Sequence, residues 1–166
     1  MENENNRETN LAKERLAQLD STLDDLLKSY GIPPKTEPNS DVPKLLNLSR
    51  LEINKMTAEE CSEAAYMVRS FAFNLQKEYN REVTRVQWAN AQIDKLVCKE
   101  IEQLDKFTKY EQKRALVVNN NTYTYKLQEI VTFASARAQR IQDLADKASD
   151  IARAFNEISM SRKRVY

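Results

Sequence analysis

Apolar positions between Leu11 and Tyr30 recur at spacings of four and three: Ala12, Leu16, Leu19, Leu23, Leu26 and Tyr30. That is the seam pattern of an amphipathic, coiled-coil-like helix. Gly31 follows where a left-handed C-terminal cap belongs. The stretch "IPPKTEPNSDVPK" cannot continue a helix and predicts an extended linker. The residues before Leu11 carry no apolar pattern and are expected to be disordered. A short helix is expected over "LSRLEINKM".

"TAEE" at Thr57–Glu60 has the form of a capping box, so a long helix should begin there. Its apolar stripe reads Cys61, Ala65, Val68, Ala72, Leu75, Tyr79, Val83, Val86, Ile93, Val97, Ile101 and Leu104, interrupted at Asn90. Heptad-like spacing over that length predicts a narrow packing seam. "NNN" at Asn119–Asn121, followed by "TYTY", breaks the pattern, because Asn and Thr favour local side-chain bonding over helix. A last helix is predicted from about Lys126 to the basic end. Leu127, Ala134, Ile141, Ala148 and Phe155 take one heptad position; Ile130, Leu144, Ile151 and Ile158 take the other, which Arg137 spoils. Val131, Ala138, Ala145 and Ala152 widen the seam with mostly small side chains.

The expected fold is all-α. Long antiparallel, coiled-coil-like helices over 45–166 form the main domain. An N-terminal amphipathic helix with a disordered start (1–31) hangs on a proline-rich linker (32–44). Helices of 40–60 residues would be about 60–90 Å long, and the broad seam of the last one leaves apolar surface to hide. Self-association into a homo-oligomer follows, with Leu127, Ile130, Ile141, Leu144, Ile151, Phe155 and Ile158 as its residues.

Composition narrows the chemistry. The 166 residues contain no histidine and one glycine. The first removes the usual general base, the commonest zinc ligand and the Ser-His and Cys-His nucleophile pairs. The second removes phosphate-cradling loops. Cys61 and Cys98 form no CxxC and read as free thiols. The chain is expected to be a non-enzymatic protein without cofactor or metal. No apolar run approaches a membrane span, and "MENENNRETN" is unlike a signal peptide. A cytoplasmic location is expected (host cytoplasm, for a phage-encoded protein). Lys and Arg number 26 against 25 Asp and Glu, so net charge names no partner and only its sorting can.

Charge is sorted on the long helix. Opposite the apolar stripe lie Tyr66, Phe73, Lys77, Arg81, Arg85, Trp88, Gln92, Lys95, Lys99, Lys106, Lys109, Tyr110 and Lys113, with Glu102 as the main acidic intruder. Cations with interleaved aromatics suit single-stranded nucleic acid: the cations track phosphates while aromatic faces take unpaired bases. The same residues could instead form a second packing face, the lysine stems covering Tyr66, Phe73 and Trp88. At the C-terminus, Arg162, Lys163 and Arg164 could serve the helix macrodipole or a phosphate contact. The acidic first helix, with Glu14, Asp20, Asp24 and Asp25, offers a solvated face, a dock for a basic partner, or a cover for the basic stripe.

One family has this order of features. A long basic helix, "EAAYMVRSFAFNLQKEYNREVTRVQWANAQIDKLVCKEI", is followed by a polar break, "NNNTYTY". The heptad-patterned "LQEIVTFASARAQRIQDLADKASDIARAFNEISMSRKR" comes last. Over about residues 58–164 the chain resembles the UvsY-type recombination mediators of tailed phages. The resemblance implies a small helical protein that forms ring-like oligomers through its C-terminal helix and binds single-stranded DNA. It further implies partners: a RecA-like recombinase, loaded onto strands coated with a single-strand-binding protein. Lys77, Arg81, Arg85 and Lys95 match the family's basic helix; residues 1–44 have no counterpart. Trp88, Lys99, Arg162, Lys163 and Arg164 complete the expected DNA-binding set. The alternative is a structural coiled-coil protein, such as a virion component or assembly adaptor, with no nucleic acid in its mechanism.

Overall fold

The computed structural model describes residues 2–34, 39–100 and 108–163, the first eight as backbone. Among these residues all regular structure is helical, with long helices packed together. The helices are α1 (Glu2–Ser29), α2 (Val42–Leu46), α3 (Arg50–Lys55), α4 (Ala58–Glu100), α5 (Tyr110–Asn120) and α6 (Thr122–Lys163). No described helix is long and apolar enough to cross a membrane.

Local chemistry sets the helix ends. Gly31 stands at φ +71°, its amide donating to the Lys28 carbonyl and the Ile32 amide to that of Leu27. Those paired bonds form a left-handed cap that ends α1. Thr57 Oγ1 accepts from the Glu60 amide at 3.1 Å while Glu60 accepts from the Thr57 amide at 2.6 Å. This is the capping box expected at the start of α4. Ser49 and Glu52 make a second one, which starts α3. Asn121 Oδ1 accepts from the amides of Tyr123 and Thr124, and Thr124 Oγ1 donates to the Val117 and Asn121 carbonyls. The polar break is thus a single residue wide, and α6 begins at Thr122 rather than near Lys126. The backbone is helical from Glu2, where the sequence predicts disorder. The described part of the long helix runs to Glu100; Ile101, Glu102, Leu104 and Lys106 of the predicted stripe lie outside the described residues.

The chain divides into two compact units, each assembled from two separate stretches. The first comprises residues 1–34 and 80–138. Its core joins Ala12 of α1, Ala89, Ile93 and Val97 of α4, Val117 and Val118 of α5, and Tyr123 and Leu127 of α6. Expected from the sequence as a separable element, α1 packs inside this unit. The second comprises residues 35–79 and 139–166. There Ala64, Ala65, Val68 and Ala72 of α4 pack with Ala148, Ala152 and Phe155 of α6. Leu45, Leu46 and Ile53, from α2 and α3, close over them.

The seams keep heptad phase more strictly than hydrophobicity alone suggests. On α4 the buried line passes through Glu82 and Ala89, not through their apolar or polar neighbours Val83 and Asn90. Asn90 accepts from Arg114 at 2.8 Å, so the predicted interruption sits beside the seam. On α6 the buried partners of Leu127, Ala134, Ala148 and Phe155 are Ala138, Ala145, Ala152 and Ser159. The larger Ile130 and Ile151 flank the clusters half-buried, Ile141 and Ile158 are half-buried, and Leu144 is exposed. Small seam residues win because they let helix axes approach closely.

Candidate nucleic-acid interface

The predicted basic stripe is divided by its surroundings. In the second unit Tyr66 and Phe73 are exposed and Lys77 is half-buried. In the first unit Arg81 and Arg85 face α1. Arg85 donates from Nε and NH2 to the two carboxylate oxygens of Asp20, at 2.9 and 2.6 Å. Arg81 donates to Asp24. The arginines and the aspartates are each four residues apart on their own helix, so the pairs match turn for turn. Bidentate geometry makes the Arg85 pair the stronger kind of ion pair. Its hydrogen bond to Asp20 outweighs partial burial and holds the guanidinium pKa above its ordinary value.

Glu82 completes the network. It is buried, and its two oxygens accept from Arg85 NH1 at 2.6 Å and Arg137 NH2 at 2.9 Å. Arg137, which spoils the apolar pattern of α6, is therefore the partner of an acid that occupies a seam position on α4.

Further along α4 the stripe opens. Trp88 is half-buried against the core, and Lys95 and Lys99 are exposed. A hollow of about 340 Å³ has Trp88, Gln92 and Arg15 in its wall. A second, of about 580 Å³, shares Arg15 and Gln92 and adds Lys95, Lys99 and Tyr123. Arg15 lies 5.6 Å from the Tyr123 ring centroid and donates to its hydroxyl at 3.0 Å. Asp94, the acid on that wall, is engaged elsewhere. It accepts from the Tyr110 hydroxyl at 2.9 Å, which raises the tyrosine pKa, and sits 3.6 Å from Arg114. Trp88, Gln92, Lys95 and Lys99 thus follow one another at spacings of four, three and four along the same wall. Arg15 and Tyr123 are the members that sequence reasoning missed, because they come from α1 and α6.

At the C-terminus Arg162 donates to the carbonyls of Ile53, Asn54 and Met56, clasping the end of α3 within the second unit. Lys163 is exposed, and Arg164 lies outside the described residues. Of the expected oligomer residues, Leu127 and Phe155 are buried in the cores of their own units. Among the described residues no cluster of His, Cys, Asp or Glu could hold a metal ion. Neither a protein-family model, nor a curated protein, nor a solved structure matches this chain.

Proposed function

We propose that the protein is a non-enzymatic, oligomeric single-stranded-DNA-binding mediator that helps load a RecA-like recombinase onto strands coated with a single-strand-binding protein. The resemblance in helix order to UvsY-type mediators supplies the class. The observation that carries the binding reading is the wall of Trp88, Gln92, Lys95 and Lys99, with Arg15 facing the same hollows. An aromatic surface followed by cations is what a flexible polyanion with unpaired bases requires. In the assembled protein the long helices pair antiparallel, and the exposed Leu144, with its flanking Ile141, Ile151 and Ile158, meets other copies. The reading places the protein in the cytoplasm of the host.

Trp88 is the chain's single tryptophan, so its emission has one source. Oligothymidylate should quench it at low salt, and the affinity should fall steeply as salt rises, as phosphate contacts release counterions. Trp88→Ala should reduce affinity by about 1–3 kcal/mol, the worth of one stacked base. A wild-type emission that oligothymidylate leaves unchanged, with no salt-sensitive binding by anisotropy, overturns the reading.

That outcome would favour the second reading, a structural helical adaptor without nucleic acid. A specific observation supports it: Arg81, Arg85 and Arg162 are all engaged within their own units.

A further inference from the structure

The pairing of α1 with α4 assigns a role to carboxylates that the binding reading alone leaves idle. We propose that Arg81 and Arg85 form a phosphate-binding surface for single-stranded DNA that Asp20 and Asp24 occupy in the free protein, so that α1 and the DNA backbone compete for one face of α4. The inference rests on the single-stranded-DNA reading and adds to it the surface beneath α1.

Three features carry it. First, the match is that of a polyanion. Two carboxylates one helical turn apart meet two guanidinium groups one turn apart, and the Asp20–Arg85 pair uses the two-pronged geometry that arginine also offers to phosphate. Second, the apolar hold of α1 is thin. Only Ala12 of its described side chains is fully buried; Leu16, Leu19, Leu23 and Leu27 are half-buried, and Leu11, Leu26 and Tyr30 are exposed. The hollows beside Trp88 and Lys95 lie where Arg15 of α1 faces α4, so packing between these helices is incomplete. Third, the covered arginines continue the open wall. Arg81, Arg85, Trp88, Gln92, Lys95 and Lys99 step along α4 at spacings of four, three, four, three and four. A strand seated on Trp88 and Lys95 therefore meets Asp20 and Asp24 at its next phosphates.

The test compares the full-length protein with the double variant Asp20→Asn, Asp24→Asn, titrated with fluorescein-labelled oligothymidylate over a salt series. Removing the two competing charges should tighten binding at least about tenfold at low salt. It should also steepen the logarithmic salt slope by about 1.4, two further phosphates at about 0.7 each for a single strand. Equal affinity and equal slope for the two proteins overturn the proposal while leaving the DNA-binding reading intact. Binding by neither protein overturns both. Because the variant could lose its fold, the unmodified protein gives an independent readout by amide hydrogen exchange. Saturating oligothymidylate should accelerate exchange along residues 11–29 and slow it along residues 80–99. Slower exchange in both segments overturns the proposal.

Discussion

At the residue scale the most consequential side chain is Glu82. An acid on a buried heptad line would be costly if unpaired, and here two guanidinium groups satisfy it. Glu82→Ala should therefore lower stability by about 2 kcal/mol, the usual range for charged hydrogen bonds, in denaturant unfolding. Arg137→Ala should cost less than about 1 kcal/mol, because Arg137 is half in solvent and Glu82 keeps Arg85. An equal loss for both would mean that the second arginine is as important as the acid itself. Glu60 sets a pH dependence. Its hydrogen bonds from the Thr57 amide and hydroxyl hold its pKa below the ordinary glutamate value. A depressed carboxylate stabilises the fold above its unfolded pKa and ceases to do so as pH falls through the folded one. Melting temperature should thus drop on the acid side of the ordinary glutamate range, and Glu60→Gln should flatten that drop. The Thr57–Glu60 capping box and Gly31 were legible in the sequence because each is a contact among residues within five positions. That the acidic face of the first helix could cover the basic stripe was among the readings open in the sequence; which aspartate meets which arginine was not, because 65 residues separate Arg85 from Asp20 and only packing chooses the register.

Among the elements, α6 shows where pattern reading reaches its limit. Periodicity located the helix and one of its two seam positions. Hydrophobicity favours Ile130, Leu144, Ile151 and Ile158 for the other, with Ala138, Ala145 and Ala152 widening it; close helix approach buries those alanines and adds Ser159, while the larger side chains stay at the flank or outside. On the α4 seam, phase likewise put Glu82 rather than Val83 on the buried line. Two substitutions separate the inner seam from the outer flank. Ala152→Leu should destabilise by about 1–3 kcal/mol, since overpacking a tight contact forces side chains off their rotamers. Leu144→Ser should leave monomer stability within about 0.5 kcal/mol, as expected for an exposed position. On the proposed oligomeric reading it should shift sedimentation toward smaller species. If Leu144→Ser leaves the assembly unchanged, Leu144 is not part of a contact between copies.

For the whole molecule, the division into two units cuts across the sequence segments that pattern alone defined. Residues 1–34 join 80–138, and 35–79 join 139–166. The proline-rich stretch reads as a linker in the sequence, and the N-terminal stretch of the first unit ends at Pro34. The other boundaries fall inside α4 and α6, where an unbroken helical pattern gives no mark. This division has a practical consequence in the distribution of two rare side chains. Trp88 belongs to the first unit, half-buried beside its core. Cys61 is fully buried in the core of the second, while Cys98 is open to solvent. A thiol reagent should therefore label Cys98 at once and Cys61 only when the second unit opens, making the slow phase of alkylation a clock for that unit alone. Emission from Trp88 follows the other. The native chain thus carries a private reporter in each half, and a single denaturant series read by both would reveal whether the halves come apart together or in turn.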